Sequence, residues 1–230
     1  MNDTLDRLAA VGPYFTLGYG PPPAGSGLRP LTELYADRLA EHVAEVARRM
    51  GTDRLRVAGS TAHLGLAARL CSVALGAAAL TGRVPDLDPD RLLWRQPPGA
   101  ALELWLPEPV SRPEEPAEAL AATVLTANLG PLDAALRTGF GLSPHVLRGN
   151  AASALVGALR VLENRGGPLA QPPGPLVGRL LADDGPLAGT AALFVHEEGL
   201  GTAFVRRSCC LYYKIPGGGL CGDCVLRTRS

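Results

Sequence analysis

The chain has 230 residues, of which 47% are hydrophobic and only 5% aromatic, so it is long enough to bury a core built mainly from Leu, Val and Ala. Its 22 Lys and Arg balance its 22 Asp and Glu, which argues against a nucleic-acid-binding protein because that class usually carries a clear basic excess. Residues 1–14 contain charged side chains and lack an apolar run. We therefore expect no secretory signal and a cytoplasmic location.

The first helix is predicted over Thr32–Met50, after a Pro- and Gly-rich connection at 13–30. Thr32 is expected to cap this helix and Gly51 to end it. His42 lies within it beside two glutamates. This pattern indicates a solvated helix face rather than a functional histidine.

The second helix is predicted over Ser60–Ala79, with Ser60 as its N-cap. The most apolar stretch of the chain, Ala62–Leu80, overlaps it but is interrupted by an arginine and a histidine. We interpret this stretch as a buried helix rather than a membrane span. No transmembrane segment is therefore expected, while a peripheral association with a membrane stays open.

The middle and later parts of the chain add further helices and two β-hairpins. We expect Trp94 and Trp105 to pack against each other across the first hairpin, and His196 to lie on a strand surface of the second. The predicted helices are Glu114–Asn128, which Gly130-Pro131 should break, then Leu132–Thr138, Ser143 to about Asn164, and Pro175–Ala182. The predicted strands are 92–95 with 101–106, and 190–196 with 202–206.

These elements predict a mainly helical α+β fold. We expect a single domain over 1–230, with a helical body to about residue 200, one or two small β-hairpins, and a metal-binding end at about 201–230. Within the body, Cys71 lies among apolar residues of the second helix. It is expected to be a small buried hydrophobe rather than a ligand.

The other four cysteines lie near the carboxy terminus, at Cys209, Cys210, Cys221 and Cys224. Their spacing is Cys-Cys, ten residues, Cys, two residues, Cys. The Pro-Gly-Gly-Gly at 216–219 cannot continue a helix or a regular strand, so the segment must fold back and bring the two cysteine pairs together. Four converging thiolates are the ligand set of a metal centre.

Three interpretations of this cysteine group were weighed. A structural zinc site usually draws on two pairs of cysteines spaced two to four residues apart, and only Cys221 and Cys224 fit that pattern. A two-iron cluster spreads its ligands over two metals and accommodates the adjacent Cys209 and Cys210 more easily. A disulfide between adjacent cysteines needs a strained ring and would be lost in a reducing compartment. The spacing favours iron–sulfur and leaves zinc and disulfides open.

The motif resembles the carboxy-terminal end of the ferric-siderophore reductases, the FhuF-like family. The likeness includes the basic pair before Cys209 and the Cys-Gly-Asp-Cys that ends at Cys224. A Gly-Asn-Ala-Ala-Ser stretch at 149–153 is similar to one that members often carry upstream. The resemblance implies that all four cysteines bind a [2Fe–2S] cluster. It also implies a cytoplasmic enzyme that takes electrons from an external carrier, of the reduced ferredoxin or flavin type, and reduces a ferric siderophore.

Several nearby residues are candidates for the surroundings of such a cluster. Gly217, Gly218 and Gly219 have no side chains to keep their amides from the sulfurs. Asn150 is expected either to hydrogen-bond the cluster loop or to serve as a local cap or solvent contact. Five cations would offset the cluster charge, or dock an anionic siderophore or an acidic carrier. They are Arg206, Arg207, Lys214, Arg227 and Arg229.

Two other functions are compatible with the same residues. One is an iron–sulfur electron-transfer or sensor protein without a substrate of its own. The other is a structural protein with a four-cysteine zinc site.

Overall fold

The computed structural model describes residues 1–97, 99–165 and 167–229, and for residues 228 and 229 it describes the backbone alone. The helices are α1 (Asn2–Ala9), α2 (Leu31–Ala36), α3 (Leu39–Arg49), α4 (Leu55–Thr81), α5 (Pro116–Leu120), α6 (Gly130–Phe140), α7 (Pro144–Arg165) and α8 (Pro173–Leu181). The strands are β1 (Gly18–Tyr19), β2 (Arg29–Pro30), β3 (Leu93–Arg95), β4 (Glu103–Leu106), β5 (Ala191–Glu197) and β6 (Gly201–Arg206). The expected mainly helical α+β fold is confirmed.

Helix α4 is the centre of the core. It is rich in Leu, Ala and Val around its whole circumference, and most of its residues are buried, as expected of a helix surrounded by protein. Helix α7 packs along it, and α1, α3, α6 and α8 contact it from other sides. Small residues on both α4 and α7 allow the two long helices to approach closely.

Two helical stretches of the described chain are long and apolar enough to cross a membrane by length and composition, Leu55–Thr81 and Pro116–Phe140. In the first, 72% of the most apolar window is buried inside the fold. This burial agrees with the expectation of a core helix for that stretch.

The predicted helix Thr32–Met50 is wrong in one respect, because it is two helices. The chain turns at Asp37 and Arg38, which separates α2 from α3 and lets apolar residues of both helices reach the core. His42 is also not on a solvated face. It is buried, its Nδ1 lies 3.0 Å from Oε1 of Gln96, and burial lowers its pKa.

Helix α4 begins at Leu55, five residues before the predicted N-cap. Ser60 is therefore not a cap but a buried residue inside the helix, where its hydroxyl bonds to a distant part of the chain. Gly82 ends the helix in a left-handed conformation, with φ of 71°, as glycines commonly do after a helix.

The first hairpin is confirmed, since β3 and β4 pair antiparallel within a four-stranded sheet of order β1-β4-β3-β2. In its register each tryptophan lies opposite a leucine, so Trp94 and Trp105 point to opposite faces. The prediction that they pack together is wrong. Trp94 meets the ring of His42 edge-on at 6.4 Å, and Trp105 donates its Nε1–H to the Gly20 carbonyl at 2.7 Å.

The predicted break at Gly130-Pro131 is also wrong. Helix α5 continues through a π-helical stretch, Ala121–Leu129, directly into α6. The wide π-helical turns directly precede Pro131, which lies in the first turn of α6 and has no backbone N–H to donate. Gly130 keeps helical dihedral angles.

The end of the chain follows the predicted order. Helix α7 starts after Ser143, whose Oγ accepts from the amide of Val146 at 3.4 Å, and α8 follows it. Strands β5 and β6 form the second predicted hairpin as a separate two-stranded sheet. Strand β6 packs on α7 and leads directly into the cysteine motif.

Candidate metal centre

The cysteine motif folds back on itself, as its Pro-Gly-Gly-Gly stretch predicted. The amide of Arg206, the last residue of β6, donates to the carbonyl oxygen of Asp223 at 3.1 Å and so joins the two halves of the motif. Between them, Leu211 has a φ of 71°, a left-handed conformation that costs a non-glycine residue ~1–3 kcal/mol. A single 3₁₀ turn, Tyr212–Lys214, follows it.

This turn brings the four cysteines into one neighbourhood. Cys210 and Cys224 are buried, whereas Cys209 and Cys221 are partly exposed, and all are free thiols. Cys221 lies beside Cys210 and lowers the pKa of Cys210. Cys224 is close enough to raise the pKa values of Cys209 and Cys221 by its charge. Among the described residues, no three His, Cys, Asp or Glu side chains are grouped to hold one metal ion.

Backbone amides surround the sulfurs. The amide of Leu211 donates to Cys209 Sγ at 3.3 Å, and that of Leu226 donates to Cys224 Sγ at 3.4 Å. The amides of Tyr212 and Asp223 lower the pKa values of Cys210 and Cys221. Such donors stabilise a thiolate, the form in which cysteine binds metals.

Arg206 is the main departure from the sequence analysis. It was expected on a basic rim, but it is only 1% exposed. Its Nη2 donates to Asn150 Oδ1 at 2.9 Å and to the Val146 carbonyl at 3.2 Å. Burial lowers its pKa, while the nearby sulfurs of three motif cysteines act in the opposite direction. A docking role is therefore excluded for Arg206, and charge compensation remains.

Asn150 contacts Arg206 at the end of β6 and reaches the cluster loop only through Ser60, so a direct hydrogen bond to that loop stays a prediction. Asn150 is buried, and its amide group donates to the backbone and hydroxyl oxygens of Ser60, each at 3.0 Å. The Ser60 hydroxyl then donates to the Cys210 carbonyl oxygen at 2.8 Å. The chain of contacts Arg206–Asn150–Ser60–Cys210 links the motif to both α7 and α4.

The structure shows why residue 149, the first of the Gly-Asn-Ala-Ala-Ser stretch, is a glycine. A Cβ atom there would lie 2.7 Å from Arg206 Nη2 and closer still to the Ser208 hydroxyl. Only glycine lets Arg206 pass so near the backbone of α7. The Ser208 hydroxyl donates in turn to the His145 carbonyl oxygen at 2.7 Å.

The remaining predicted cations have separate positions. Arg207 is exposed and its Nε donates to the Ala191 carbonyl at 2.7 Å. Lys214 is exposed and lies 5.8 Å from the ring centroid of Tyr213. Arg227 is exposed, and the side chain of Arg229 lies outside the described residues. Of the predicted rim, Arg207, Lys214 and Arg227 are thus at the surface.

The three glycines have a narrower role than expected. The amide of Gly218 donates to the Ile215 carbonyl at 2.9 Å, so it closes the turn rather than approaching a sulfur. Gly217 has a φ of 70°, which favours glycine. The amides that do reach sulfurs belong to residues next to the cysteines. An approach of the Gly217 or Gly219 amide to a cluster stays a prediction.

Two contacts of this region were missed by the sequence analysis. Asp223, between the last two cysteines, accepts from Arg160 Nη1 at 2.6 Å. Ser60 was assigned to a helix cap. Both partners are far away in sequence, so no local pattern marks them. Cys71 is fully buried with its pKa raised to about 12 by burial, in agreement with its predicted role as a core residue.

His196 is half-buried rather than on an open strand surface. Its Nδ1 lies 2.8 Å from Glu163 Oε1 and 3.1 Å from the Thr202 hydroxyl. These contacts belong to the packing of the second hairpin on α7, away from the cysteines.

The arrangement fits an iron–sulfur cluster. The four cysteines are near enough to affect one another's pKa values, amides donate to two of the sulfurs, and the buried guanidinium of Arg206 is near three of them. Its Nε is buried without a hydrogen-bond partner among the described residues, and a sulfur of a bound cluster would supply an acceptor. Such a cation and such donors suit a centre whose core and thiolates carry net negative charge.

Comparison with known families decides between the interpretations that the spacing left open. Residues 206–226 match the model of the FhuF 2Fe-2S C-terminal domain. This segment is similar to the FhuF-type [2Fe–2S] domain. Its cofactor is a [2Fe–2S] cluster, and the zinc and disulfide interpretations are set aside. The match covers the end of the chain and not the helical body, and no curated protein matches the chain.

Proposed function

We propose that this protein is a cytoplasmic ferric-siderophore reductase, which passes one electron at a time to an Fe(III) chelate. The observation that carries the proposal is the FhuF-type [2Fe–2S] domain at 206–226, which is a redox centre. An external carrier, such as a reduced ferredoxin or flavoprotein, would supply the electrons. We also propose that the helical body and the FhuF-type domain form a single domain, because β6 and the cluster loop pack on α4 and α7.

We assign the four cysteines of the domain as the cluster ligands. When bound, the cluster supplies a one-electron redox couple. Cys209 and Cys221 are partly exposed, whereas Cys210 and Cys224 are buried. An electron donor would therefore approach from the side of Cys209 and Cys221. The Cys210 segment contacts Ser60 and the network around Asn150.

The surrounding residues set the electrostatics. Arg206 and the amides of Leu211 and Leu226 would place positive charge and N–H dipoles at the sulfurs, which favours the form with one more electron and raises the reduction potential. No side chain is needed as an acid or base, because the reaction transfers an electron and breaks no covalent bond of the siderophore. The task of the chain is to hold the redox centre near the surface and to bind the chelate close by.

Release of the metal follows from the chemistry of the substrate. Siderophore oxygens are hard ligands that suit Fe(III), and Fe(II), with its lower charge, is held more weakly by them. Transfer of one electron to the chelate therefore lowers its stability. The iron can then pass to other ligands.

The experiment is a single-turnover reduction without oxygen. The protein is reduced chemically, freed of reductant and mixed with a ferric siderophore. Stopped-flow absorbance follows reoxidation of the centre, and a chromogenic chelator specific for Fe(II) follows release. We expect one Fe(II) for each electron lost. An electron-transfer or sensor protein without its own substrate would instead stay reduced in the presence of all ferric chelates and react with a protein partner alone.

A further inference from the structure

A cavity of about 360 Å³ opens directly beside the cysteine motif, a volume at the lower end of the range for ligand pockets. Helices α3 and α4, the β3–β4 hairpin and Tyr212 line it. Tyr212 follows Cys210 by two residues in the cysteine motif. On α4, the lining residue Thr61 follows Ser60, which holds the Cys210 carbonyl. The cavity and the metal centre thus share a wall.

The lining is cationic. Arg49 and Arg69 both contribute, and no aspartate or glutamate lines the described cavity. Two carboxylates that act on residues of the lining are paired elsewhere: Glu45 with Arg48 at 2.6 Å, and Glu103 with Arg95 at 2.7 Å. In a chain of zero net charge, two arginines without a carboxylate partner in the same cavity indicate an anionic ligand.

Both arginines are held in place by other contacts. Arg49 Nη1 donates to the Ala100 carbonyl at 2.9 Å, and the Gln96 amide donates to the same oxygen at 2.6 Å. Arg69 Nη1 donates to the Pro13 carbonyl at 3.3 Å, and its guanidinium lies 5.2 Å from the ring centroid of Tyr14. A guanidinium has five N–H donors, so both retain donors for a ligand while their positions are fixed.

We propose that this cavity binds the substrate of the reductase, and that its substrate class is a negatively charged, oxygen-rich Fe(III) chelate such as a catecholate. Arg49 and Arg69 bind the anionic oxygens, and the aromatic rings of Tyr14 and Tyr212 contact the planar catechol rings. The chelate then lies against the segment that carries Cys210. This proposal rests on the proposed function, because it assigns the substrate of that same centre.

The test uses a chelate that cannot be reduced, so that binding is measured apart from electron transfer. The gallium(III) complex of a hexadentate triscatecholate is titrated into the cluster-loaded protein by calorimetry, and a neutral gallium(III) trihydroxamate is titrated alongside. We expect the anionic complex to bind more tightly. Arg49→Gln and Arg69→Gln should each weaken its binding about tenfold or more, as the loss of a charge-assisted contact does. Arg137→Gln removes an exposed arginine that does not line the cavity and should leave binding unchanged.

The proposal is overturned if the gallium triscatecholate does not bind, or if it binds the wild type and both cavity variants equally well. Circular dichroism checks the fold of each variant, and Arg69→Lys, which keeps the charge, serves if Arg69→Gln unfolds. The proposed function fails separately. If the protein reduces ferric chelates but the cavity variants bind the gallium complexes as the wild type does, the reductase function is supported and this binding site is rejected. If binding depends on the two arginines but no chelate is reduced, the binding site is supported and the reductase function is rejected.

Discussion

The guanidinium of Arg206 donates to Asn150 Oδ1 across 2.9 Å, and both side chains are buried. The two residues are separated by 56 positions in the sequence, so this contact joins the motif to the middle of α7. A buried cation without a carboxylate partner among the described residues is costly to folding. The negative charge of the cluster and its thiolates offsets that cost, which makes Arg206 part of the metal centre rather than of its surface.

The first prediction concerns Arg206 itself. Arg206→Met should lower the reduction potential of the cluster by about 60 mV or more, equivalent to ~1.4 kcal/mol for a one-electron couple, because the cation stabilises the more negative reduced form. Without the cluster, the same variant should be at least as stable as the wild type, since a buried charge is removed. Redox titration followed by EPR gives the potential, and urea denaturation gives the free energy of unfolding. An unchanged potential in Arg206→Met contradicts the compensation role.

The second prediction concerns Asn150. Asn150→Leu should lower the free energy of unfolding by ~1–3 kcal/mol. The substitution removes an acceptor from the Arg206 guanidinium and a donor from the Ser60 carbonyl. Asn164→Leu is the matched control on the same helix, at an exposed position. We expect it to change the free energy of unfolding by less than ~0.5 kcal/mol. Equal effects of the two substitutions in urea denaturation would place Asn150 outside any structural network.

Local patterns in the sequence predicted the metal centre and much of the fold. The cysteine spacing and the Pro-Gly-Gly-Gly turn lie within one short segment, so their geometry follows from neighbouring residues. The hairpins and α7 were also predicted, because alternation and the Ser143-Pro144 start are local signals. These are the features for which sequence reasoning needs no tertiary contact.

The errors have a common physical cause, which is tertiary contact. Ser60 resembles a helix cap until Cys210 supplies a carbonyl for its hydroxyl. Arg206 resembles a surface residue until Asn150 and the sulfurs surround it. In each case the partner or the compensation is not encoded next to the residue.

The third prediction concerns ligation. Serine substitution of Cys209, Cys210, Cys221 or Cys224, one at a time, should abolish or strongly shift the visible and EPR spectra of the [2Fe–2S] cluster. Cys71→Ser is the control, because Cys71 lies in the core with its pKa raised to about 12. It should leave the spectra unchanged. Loss of the cluster in Cys71→Ser, together with its retention in any of the other four, would refute the assignment.

The fourth prediction separates two neighbouring glycines. A Cβ at Gly218 would lie 2.5 Å from Ile215 Cγ1 and 2.6 Å from the Tyr212 carbonyl oxygen, whereas nothing lies within 4 Å of one at Gly219. Gly218→Ala should therefore distort the turn and shorten the lifetime of the cluster, while Gly219→Ala should not. Cluster absorbance is followed over time, and helical circular dichroism verifies that the body stays folded. Equal lifetimes in the two variants would show that the turn tolerates a side chain.

The last prediction concerns the surface cations of the motif, Arg207, Lys214 and Arg227. They are exposed and lie in the cysteine motif or directly after it in the sequence, so they should attract anionic partners over the screening length of ~8–10 Å near physiological salt. Reduction of an anionic ferric chelate should then slow as ionic strength rises, and reduction of a neutral chelate should hardly change. Lys214→Glu should mimic high salt, and Arg137→Glu, an equal charge change elsewhere on the surface, should not. Stopped-flow rates against salt concentration measure both effects. If the rates for the two chelates depend equally on salt concentration, these cations do not steer the substrate. A shift of the reduction potential in Lys214→Glu would then assign them to compensation of the cluster charge.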